Sequence, residues 1–177
     1  AEEYAPTNGI LVDEALSLAY VAWLGSAGSL GNPAAAAEDL PGKQGVWQRF
    51  EHGALFGPRG KDATALFGPV WEKYRADGGL NKYGAPTSSI YSYLTGQAVT
   101  WRADFAEAGI VWEEGQRPDK VRVLNADNAF LAEYYANADL AGAPVYRRYE
   151  AEPLFKWGDG APGPWVEPDG FSARFTG

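Results

Sequence analysis

The sequence contains an internal repeat, which limits what the chain can fold into. Each unit has the pattern of a short helix, a Gly-x-Pro turn and an aromatic hairpin, with an offset of about 53 to 56 residues. The matching positions are Tyr20 and Tyr74, Gly31 and Gly84, Pro33 and Pro86, Trp47 and Trp101, Phe50 and Phe105, and Gly53 and Gly109. One such unit has little core of its own, so we expect the two units to pack on each other.

Local patterns place the elements within each unit. Asp13 is a capping residue ahead of the first helix, and Pro69 suits the first turn of the second. The expected apolar stripes are Leu16, Ala19, Tyr20 and Trp23 in the first helix, and Val70, Trp71 and Tyr74 in the second. Residues 34–45 read as a loop, whereas residues 46–56, 90–94, 99–101 and 105–112 read as strands and hairpins.

Composition excludes several classes of protein. The 177 residues carry a net charge of −8, which disfavours nucleic acid and anionic membranes as partners. No apolar run approaches the ~18 residues that a membrane span requires. The chain has no Cys, and so no disulfide or thiolate site. It has no Met either, so Ala1 is expected to follow a removed secretory signal, which predicts an extracellular or cell-surface location.

The inventory of reactive residues predicts a protein that is not an enzyme. His52 is the only histidine, and no nucleophile elbow, phosphate-binding loop or metal-ligand pattern accompanies it. We therefore expect no catalytic residue, no metal and no cofactor. The carboxylates that a glycosidase would need are read as solvated charges; the candidates are Glu2, Glu3, Glu113, Glu114, Glu150 and Glu152.

Aromatic rings are the remaining candidates for binding chemistry, because amphipathic rings suit flat polar ligands such as sugars. The candidate ligand-binding residues are Trp165, Trp157, Trp47, Trp101 and Trp112. Trp165 lies in a Pro-rich loop and is expected to be exposed, whereas Trp157 is expected in the core. The last three recur in the hairpins of the repeat, which favours a structural role over ligand contact.

The repeat resembles the LGFP repeat, which is named for a Leu-Gly-Phe-Pro turn. This chain has Leu-Gly-Asn-Pro at 30–33 and Tyr-Gly-Ala-Pro at 83–86, and the resemblance covers residues 15–117. The first unit has Ala34 and Ala35 where the second continues with Thr87 and Ser88. The resemblance implies a secreted bacterial protein, and such repeats often accompany cell-envelope hydrolases. It also implies that the repeats hold the protein to the cell envelope.

The last fifty residues resemble the start of the anthrax-protective-antigen-type (PA-fourteen) β-sandwich. The positions that carry this resemblance are Phe130, Glu133, Tyr134, Tyr135, Leu140, Gly142, Pro144, Phe155 and Trp157. It implies an extracellular glycan-binding module, of which the chain holds about a third. No Asp-Asp pair is present, so that family's calcium and sugar site is not carried over. Truncation, cleavage or strands from a neighbouring chain would each explain the unpaired edges.

Together these patterns predict an α+β fold that is mainly β, with two short-helix-plus-hairpin repeats followed by the first strands of an antiparallel β-sandwich. The expected segments are a lead-in (1–14), two repeats (15–68 and 69–117), a linker (118–128) and the partial sandwich (129–177). Within the linker, Val121, Val123 and Leu124 are alternatively a strand.

The predicted function is non-catalytic attachment to a cell-envelope glycan or polysaccharide, with presentation of a glycan-binding or adhesive β-sandwich. Self-association through unpaired sheet edges is a possible second partnership. Two alternatives stay open. In the first, the chain is an accessory region of a secreted glycoside hydrolase or cell-wall amidase whose catalytic domain lies outside this chain. In the second, it is a structural subunit of an extracellular filament assembled by strand sharing.

Overall fold

The fold was determined as a computed structural model, which describes residues 5–153 and 160–177. The described chain is mainly β, with short helices and antiparallel sheets, so the predicted α+β, mainly β class is confirmed. Glu2, Glu3, Phe155 and Trp157, which the sequence analysis singled out, lie outside the described residues.

The strands and helices follow the order that the repeat predicts. The helices are α1 (Ser17–Ala22), α2 (Gly68–Ala76) and α3 (Leu80–Tyr83). The strands are β1 (Glu38–Asp39), β2 (Gly45–Arg49), β3 (Gly53–Pro58), β4 (Thr64–Phe67), β5 (Tyr91–Thr95), β6 (Ala98–Asp104), β7 (Gly109–Glu113), β8 (Arg122–Leu124), β9 (Phe130–Tyr135), β10 (Tyr146–Glu150) and β11 (Ser172–Thr176). Single 3₁₀ turns are formed by Glu14–Leu16, Gly25–Ala27, Pro41–Lys43 and Pro118–Lys120.

Three antiparallel sheets account for these strands. Two are four-stranded meanders in chain order, β1-β2-β3-β4 and β5-β6-β7-β8, and the third has the order β10-β9-β11. The chain divides into two compact units, Ala1–Ile90 and Tyr91–Gly177. The first sheet belongs to the N-terminal unit, and the other two belong to the C-terminal unit.

The first helix forms where the capping residue and the apolar stripe predict it. The Asp13 carboxylate accepts a hydrogen bond from the backbone N–H of Ala15 at 2.9 Å, which satisfies a donor that the helix cannot pair. The predicted stripe then faces the sheet. It packs with strand residues in a core made of Leu16, Tyr20, Leu30, Phe50, Leu55 and Ala65, with Ala19 and Trp23 at its edge.

The second helix covers the opposite face of the same sheet. Because side chains alternate along a strand, Leu55 points toward α1 and its neighbour Phe56 points away. The Phe56 ring meets the Tyr74 ring of α2 edge to face, with centroids 5.7 Å apart. The helix of the second repeat therefore packs on the hairpin of the first, as predicted.

One hydrogen bond occurs in both repeats and confirms two of the predicted correspondences. The Tyr20 hydroxyl donates to the Gly31 carbonyl at 3.0 Å, and the Tyr74 hydroxyl donates to the Gly84 carbonyl at the same distance. Both glycines have positive φ, 74° and 72°, a conformation that costs an L side chain about 1–3 kcal/mol. Each bond ties a helix to the Gly-x-Pro turn that follows it.

The predicted match between Trp47 and Trp101 is wrong by one residue. The turns of the two hairpins correspond, since Phe50 bonds to the Gly53 carbonyl as Phe105 bonds to the Ala108 carbonyl, both at 2.8 Å. Trp47 lies three residues before its turn, whereas Trp101 lies four before. A shift of one residue moves a strand side chain to the other face, so the two rings occupy opposite faces of their sheets.

The predicted linker contains the fourth strand of the second sheet. Arg122 and Val123 of β8 pair with Val111 and Ile110 of β7, which agrees with the strand alternative for this segment. Residues 118–120 form a 3₁₀ turn that leads into β8. The predicted loop 34–45 likewise contains β1 and a 3₁₀ turn.

The described part of the last fifty residues forms strands, as predicted. Residue Glu133 at the centre of β9 pairs with Arg147 of β10 on one side and Arg174 of β11 on the other. It accepts hydrogen bonds from both guanidinium groups, which fixes the register of all three strands. Between β9 and β10, Asn137 accepts bonds from the N–H groups of Asp139 and Ala141, and so forms the predicted turn.

Candidate functional site

Trp47 is a packing residue of the first sheet. It lies opposite Phe56 on the neighbouring strand, and the two rings stack at 5.8 Å with an interplanar angle of 11°. Phe56 in turn contacts Tyr74. One face of the half-buried Trp47 ring is therefore occupied by the protein itself.

Trp101 and Trp112 form a direct cross-strand pair between β6 and β7. Both side chains are half-buried. The Trp101 indole donates to Glu114 at 2.9 Å, and the Trp112 indole donates to the Gln116 carbonyl at 3.2 Å. Each indole N–H thus has a partner in the segment that follows β7, which fits a role in positioning the connection between β7 and β8.

Trp165 is not the exposed ring that its Pro-rich surroundings suggest. It is half-buried and stacks on Tyr146, with centroids 4.1 Å apart and an interplanar angle of 11°. The Tyr134 ring lies 5.0 Å away, and the Arg148 guanidinium lies 5.2 Å from the Trp165 centroid. The prediction fails because these tyrosines supply an aromatic surface that the loop folds onto. Trp157 lies outside the described residues.

The second and third sheets meet at a buried network of charged and phenolic groups within the C-terminal unit. The network consists of Tyr91 and Tyr93 of β5, Arg102 and Asp104 of β6, Tyr134 of β9, and Tyr146, Arg148 and Glu150 of β10. Within each strand these residues are two positions apart, so they share one face. Trp101 and Trp112 lie on the other face of β6 and β7.

Asp104 is the centre of one half of the network. Its Oδ1 accepts from the Arg102 Nε at 2.9 Å and Nη2 at 2.6 Å, and its Oδ2 accepts from the Tyr91 and Tyr146 hydroxyls, both at 2.6 Å. The side chains of Arg102 and Asp104 are 0% and 1% exposed. A buried charge is tolerated only when it is paired and hydrogen-bonded, and this carboxylate meets both conditions.

Glu150 is the centre of the other half. Its Oε1 accepts from the Tyr134 hydroxyl at 2.6 Å and from the Arg148 Nε, and its Oε2 meets Arg102 at 3.5 Å. Burial raises the pKa of Tyr134, and the carboxylate that it faces raises it further. Tyr134 therefore stays protonated and donates a hydrogen bond to the carboxylate. The two arginines and two carboxylates of the network balance in charge.

Arg148 is surrounded by ring faces in addition to its ion pair with Glu150. Its guanidinium lies 4.7 Å from the Tyr93 centroid, 5.2 Å from Tyr134 and 5.9 Å from Tyr91. Its Nη1 donates to the Tyr91 hydroxyl and to the Pro162 carbonyl, whereas its Nη2 meets no acceptor among the described residues. Cation–π attraction is strongest where water is excluded, as it is here.

A cleft of about 710 Å³ opens beside this network. Tyr93, Arg102 and Glu150 belong to both the network and the cleft lining. The walls are mixed in charge, with Glu113, Asp119 and Glu152 among the acids and Lys120 and Arg122 among the bases. The cleft therefore has a base fixed by buried ion pairs and a rim of solvated donors and acceptors.

Three of the carboxylates that the sequence offers as candidates line this cleft, namely Glu113, Glu150 and Glu152, whereas His52 and Glu114 are not among its lining residues. His52 is exposed in the turn between β2 and β3, where its N–H donates to the Leu30 carbonyl. Glu114 binds the Trp101 indole. Glu150 differs from the prediction of a solvated carboxylate, since its side chain is 15% exposed and paired with two arginines.

Sequence reasoning missed the network, although a signal was present. Strand segments with Tyr91-x-Tyr93, Arg102-x-Asp104 and Arg148-x-Glu150 place polar groups on a face that otherwise would be apolar. Opposite charges two residues apart in a strand are neighbours in space. Two such pairs on strands of one domain indicate that the charged groups can be buried against each other.

In the described residues, no three His, Asp or Glu side chains are grouped so that they could hold a metal ion. None of the helices in that part of the chain combines the length and the apolar character of a membrane crossing.

Comparison with known proteins identifies one part of the chain. Residues 30–81 match the model of the LGFP repeat. The match runs from the first Gly-x-Pro turn through the β2–β3 hairpin and into α3, so it includes parts of both predicted repeats. No curated protein matches the chain. LGFP repeats are found in cell-surface and secreted proteins, and this match supports the LGFP part of the resemblance.

Proposed function

We propose that this protein is a non-catalytic component of the cell surface that attaches to a polysaccharide of the cell envelope. The LGFP match at residues 30–81 is the observation that carries the proposal, because such repeats occur in secreted and cell-surface proteins. The net charge of −8 favours an uncharged or weakly charged partner over an acidic polymer.

The C-terminal strands have a separate part in this proposal. They present an adhesive or glycan-binding surface to the outside, in line with their resemblance to the start of a PA-fourteen β-sandwich. The ion-pair network supports such a role because it fixes β10 to the second sheet through Arg102, Arg148 and Glu150. The presented strands are thereby rigid.

Co-sedimentation with insoluble envelope polysaccharide tests the attachment. The purified chain is mixed with washed, protein-free bacterial envelope polysaccharide, and an acidic protein of similar size without LGFP repeats serves as the control. We expect this chain in the pellet and the control in the supernatant. Equal distribution of the two proteins would remove the proposal.

A second measurement tests the absence of catalysis. The chain is incubated with soluble fragments of the same polysaccharide, and new reducing ends are counted over time. The proposal expects no increase over a buffer blank. A steady increase that grows with protein concentration would show hydrolysis and favour an enzyme.

A further inference from the structure

The cleft beside the buried network has the chemistry of a binding site. It lies in the C-terminal unit between the face of β5–β8 and the end of β10, and its volume of about 710 Å³ is within the range of small-ligand pockets. The volume alone does not identify a ligand, so the class of ligand is inferred from the residues that line the cleft.

The base of the cleft is rigid because buried groups fix it. Arg148, whose side chain is 0% exposed, lies against the Tyr93 ring and holds it in place. Beside it, the Oε1 of Glu150 accepts from Tyr134 and Arg148, while its Oε2 has, among residues 5–153 and 160–177, only a long 3.5 Å contact with Arg102. The base thus presents the fixed ring of Tyr93 and the Oε2 of Glu150, which can accept further hydrogen bonds.

The phenol of Tyr93 adds a donor and acceptor. Its side chain is half-buried, and its hydroxyl forms no hydrogen bond with the described residues. The Thr95 hydroxyl on the same strand face is within 2.9 Å of the Thr100 hydroxyl, and either one can donate. Ring, hydroxyls and carboxylate lie along one side of the cleft.

The charged residues at the rim of the cleft indicate which ligand charge it can accept. The lining includes the acids Glu113, Asp119 and Glu152 together with the bases Lys120 and Arg122, and the buried network below is neutral. A polyanion would meet these carboxylates without a net positive field to offset them, and a polycation would meet the two bases. Interspersed donors and acceptors around one ring suit a ligand that carries many hydroxyls and no net charge.

We propose that this cleft binds a short stretch of a neutral polysaccharide, with one sugar against Tyr93 and its hydroxyls donating to Glu150 and the rim carboxylates. This inference rests on the proposed attachment to envelope polysaccharide and assigns it a site. It also gives the predicted tryptophans a structural role, since Trp101 and Trp112 lie on the opposite face of the same sheet.

Two tryptophan substitutions on adjacent residues of β5 test the site. Thr95→Trp places a large ring on the cleft face, whereas Leu94→Trp places the same ring on the opposite face. Leu94 and Thr95 are both exposed, and Trp is well tolerated in strands, so both variants should fold. Thermal melts of the two variants, compared with the wild type, check that they do.

Binding is measured by affinity electrophoresis in gels that contain soluble neutral glucan, mannan or arabinogalactan, with polygalacturonate as the anionic comparison. We expect retardation by at least one neutral polymer, a tenfold or larger loss for Thr95→Trp and a change within twofold for Leu94→Trp. Tyr93→Phe should weaken binding up to about tenfold, which corresponds to one hydrogen bond. Retardation should change little with added salt, because no ion pair is formed.

The outcomes separate the two proposals. If the wild-type protein is retarded by no polymer, attachment to polysaccharide fails and the site assignment falls with it. If the wild-type protein binds but Thr95→Trp binds equally well, or Leu94→Trp loses more, only the cleft assignment is overturned. Preferential binding of polygalacturonate would overturn the neutral ligand class.

Discussion

Asp104→Asn is the substitution that most sharply tests how the C-terminal unit is held together. The change keeps the shape of the side chain and removes its charge. Asp104 accepts hydrogen bonds from Tyr91, from Tyr146 and, twice, from Arg102, whose side chain is 0% exposed. With an amide in its place, the buried Arg102 cation keeps, within the described part of the chain, the 3.5 Å contact with Glu150 as its ionic partner.

The expected cost follows from that loss. Removing one partner of a buried ion pair typically costs about 3–5 kcal/mol, because the other charge stays buried without compensation. For a chain of this size, each kcal/mol lowers the melting temperature by roughly 2–4 °C, so we expect a decrease of about 6–20 °C. A loss of this size is a large part of the roughly 5–15 kcal/mol that stabilises a typical domain.

Equilibrium urea denaturation measures the change, followed by tryptophan fluorescence and by circular dichroism. Asp127→Asn is the matched control, since Asp127 is exposed and the chemical change is identical. It should alter stability by less than about 0.5 kcal/mol. A loss below about 1 kcal/mol for Asp104→Asn, or equal losses for both variants, would refute a buried charge at this position.

Three further predictions concern the repeat and the C-terminal sheet. Tyr20→Phe and Tyr74→Phe should each lower the free energy of unfolding by about 0.5–1.5 kcal/mol in urea, because each removes one bond to a turn carbonyl; a clear loss in only one variant would contradict their equivalence. Gly84→Ala should cost about 1–3 kcal/mol in the same assay, since φ is 72° with ψ −170°, a conformation almost confined to glycine, and no atom lies within 4 Å of the new methyl group; an unchanged midpoint would contradict backbone strain. Hydrogen bonds from Arg174, with the charges of the neighbouring arginines, lower the pKa of Glu133 below its ordinary value of 4.5. That stabilisation is present above about pH 4.5 and is lost as pH falls through the lowered pKa, so melting curves of Glu133→Gln should show a smaller acid-induced decrease than the wild type; parallel curves would contradict it.

The repeat architecture was predictable because it depends on local signals. The capping carboxylate of Asp13, the glycine turns and the apolar stripes act within a few residues, and the structure has them where the sequence places them. The equivalence of Tyr20 and Tyr74 followed from the repeat alone. Its physical basis, a bond to a turn carbonyl, became visible only in the structure.

The candidate site was not predictable in the same way. The repeat spacing predicts that Trp47 and Trp101 are equivalent, but a difference of one residue relative to the turn places the side chain on the other face of its strand. Glu150 read as a solvated charge because its partners Arg102 and Tyr134 are distant in sequence. Such pairings depend on how sheets come together, and composition and periodicity do not encode that directly.

The most direct test of attachment to polysaccharide is amide hydrogen exchange of the chain with and without soluble fragments of the envelope polymer. Saturating polymer should slow exchange in β5 and in residues 116–122, which border the cleft, and leave β2 and β3 unchanged. Exchange that stays the same along the whole chain at saturating polymer would contradict attachment to polysaccharide.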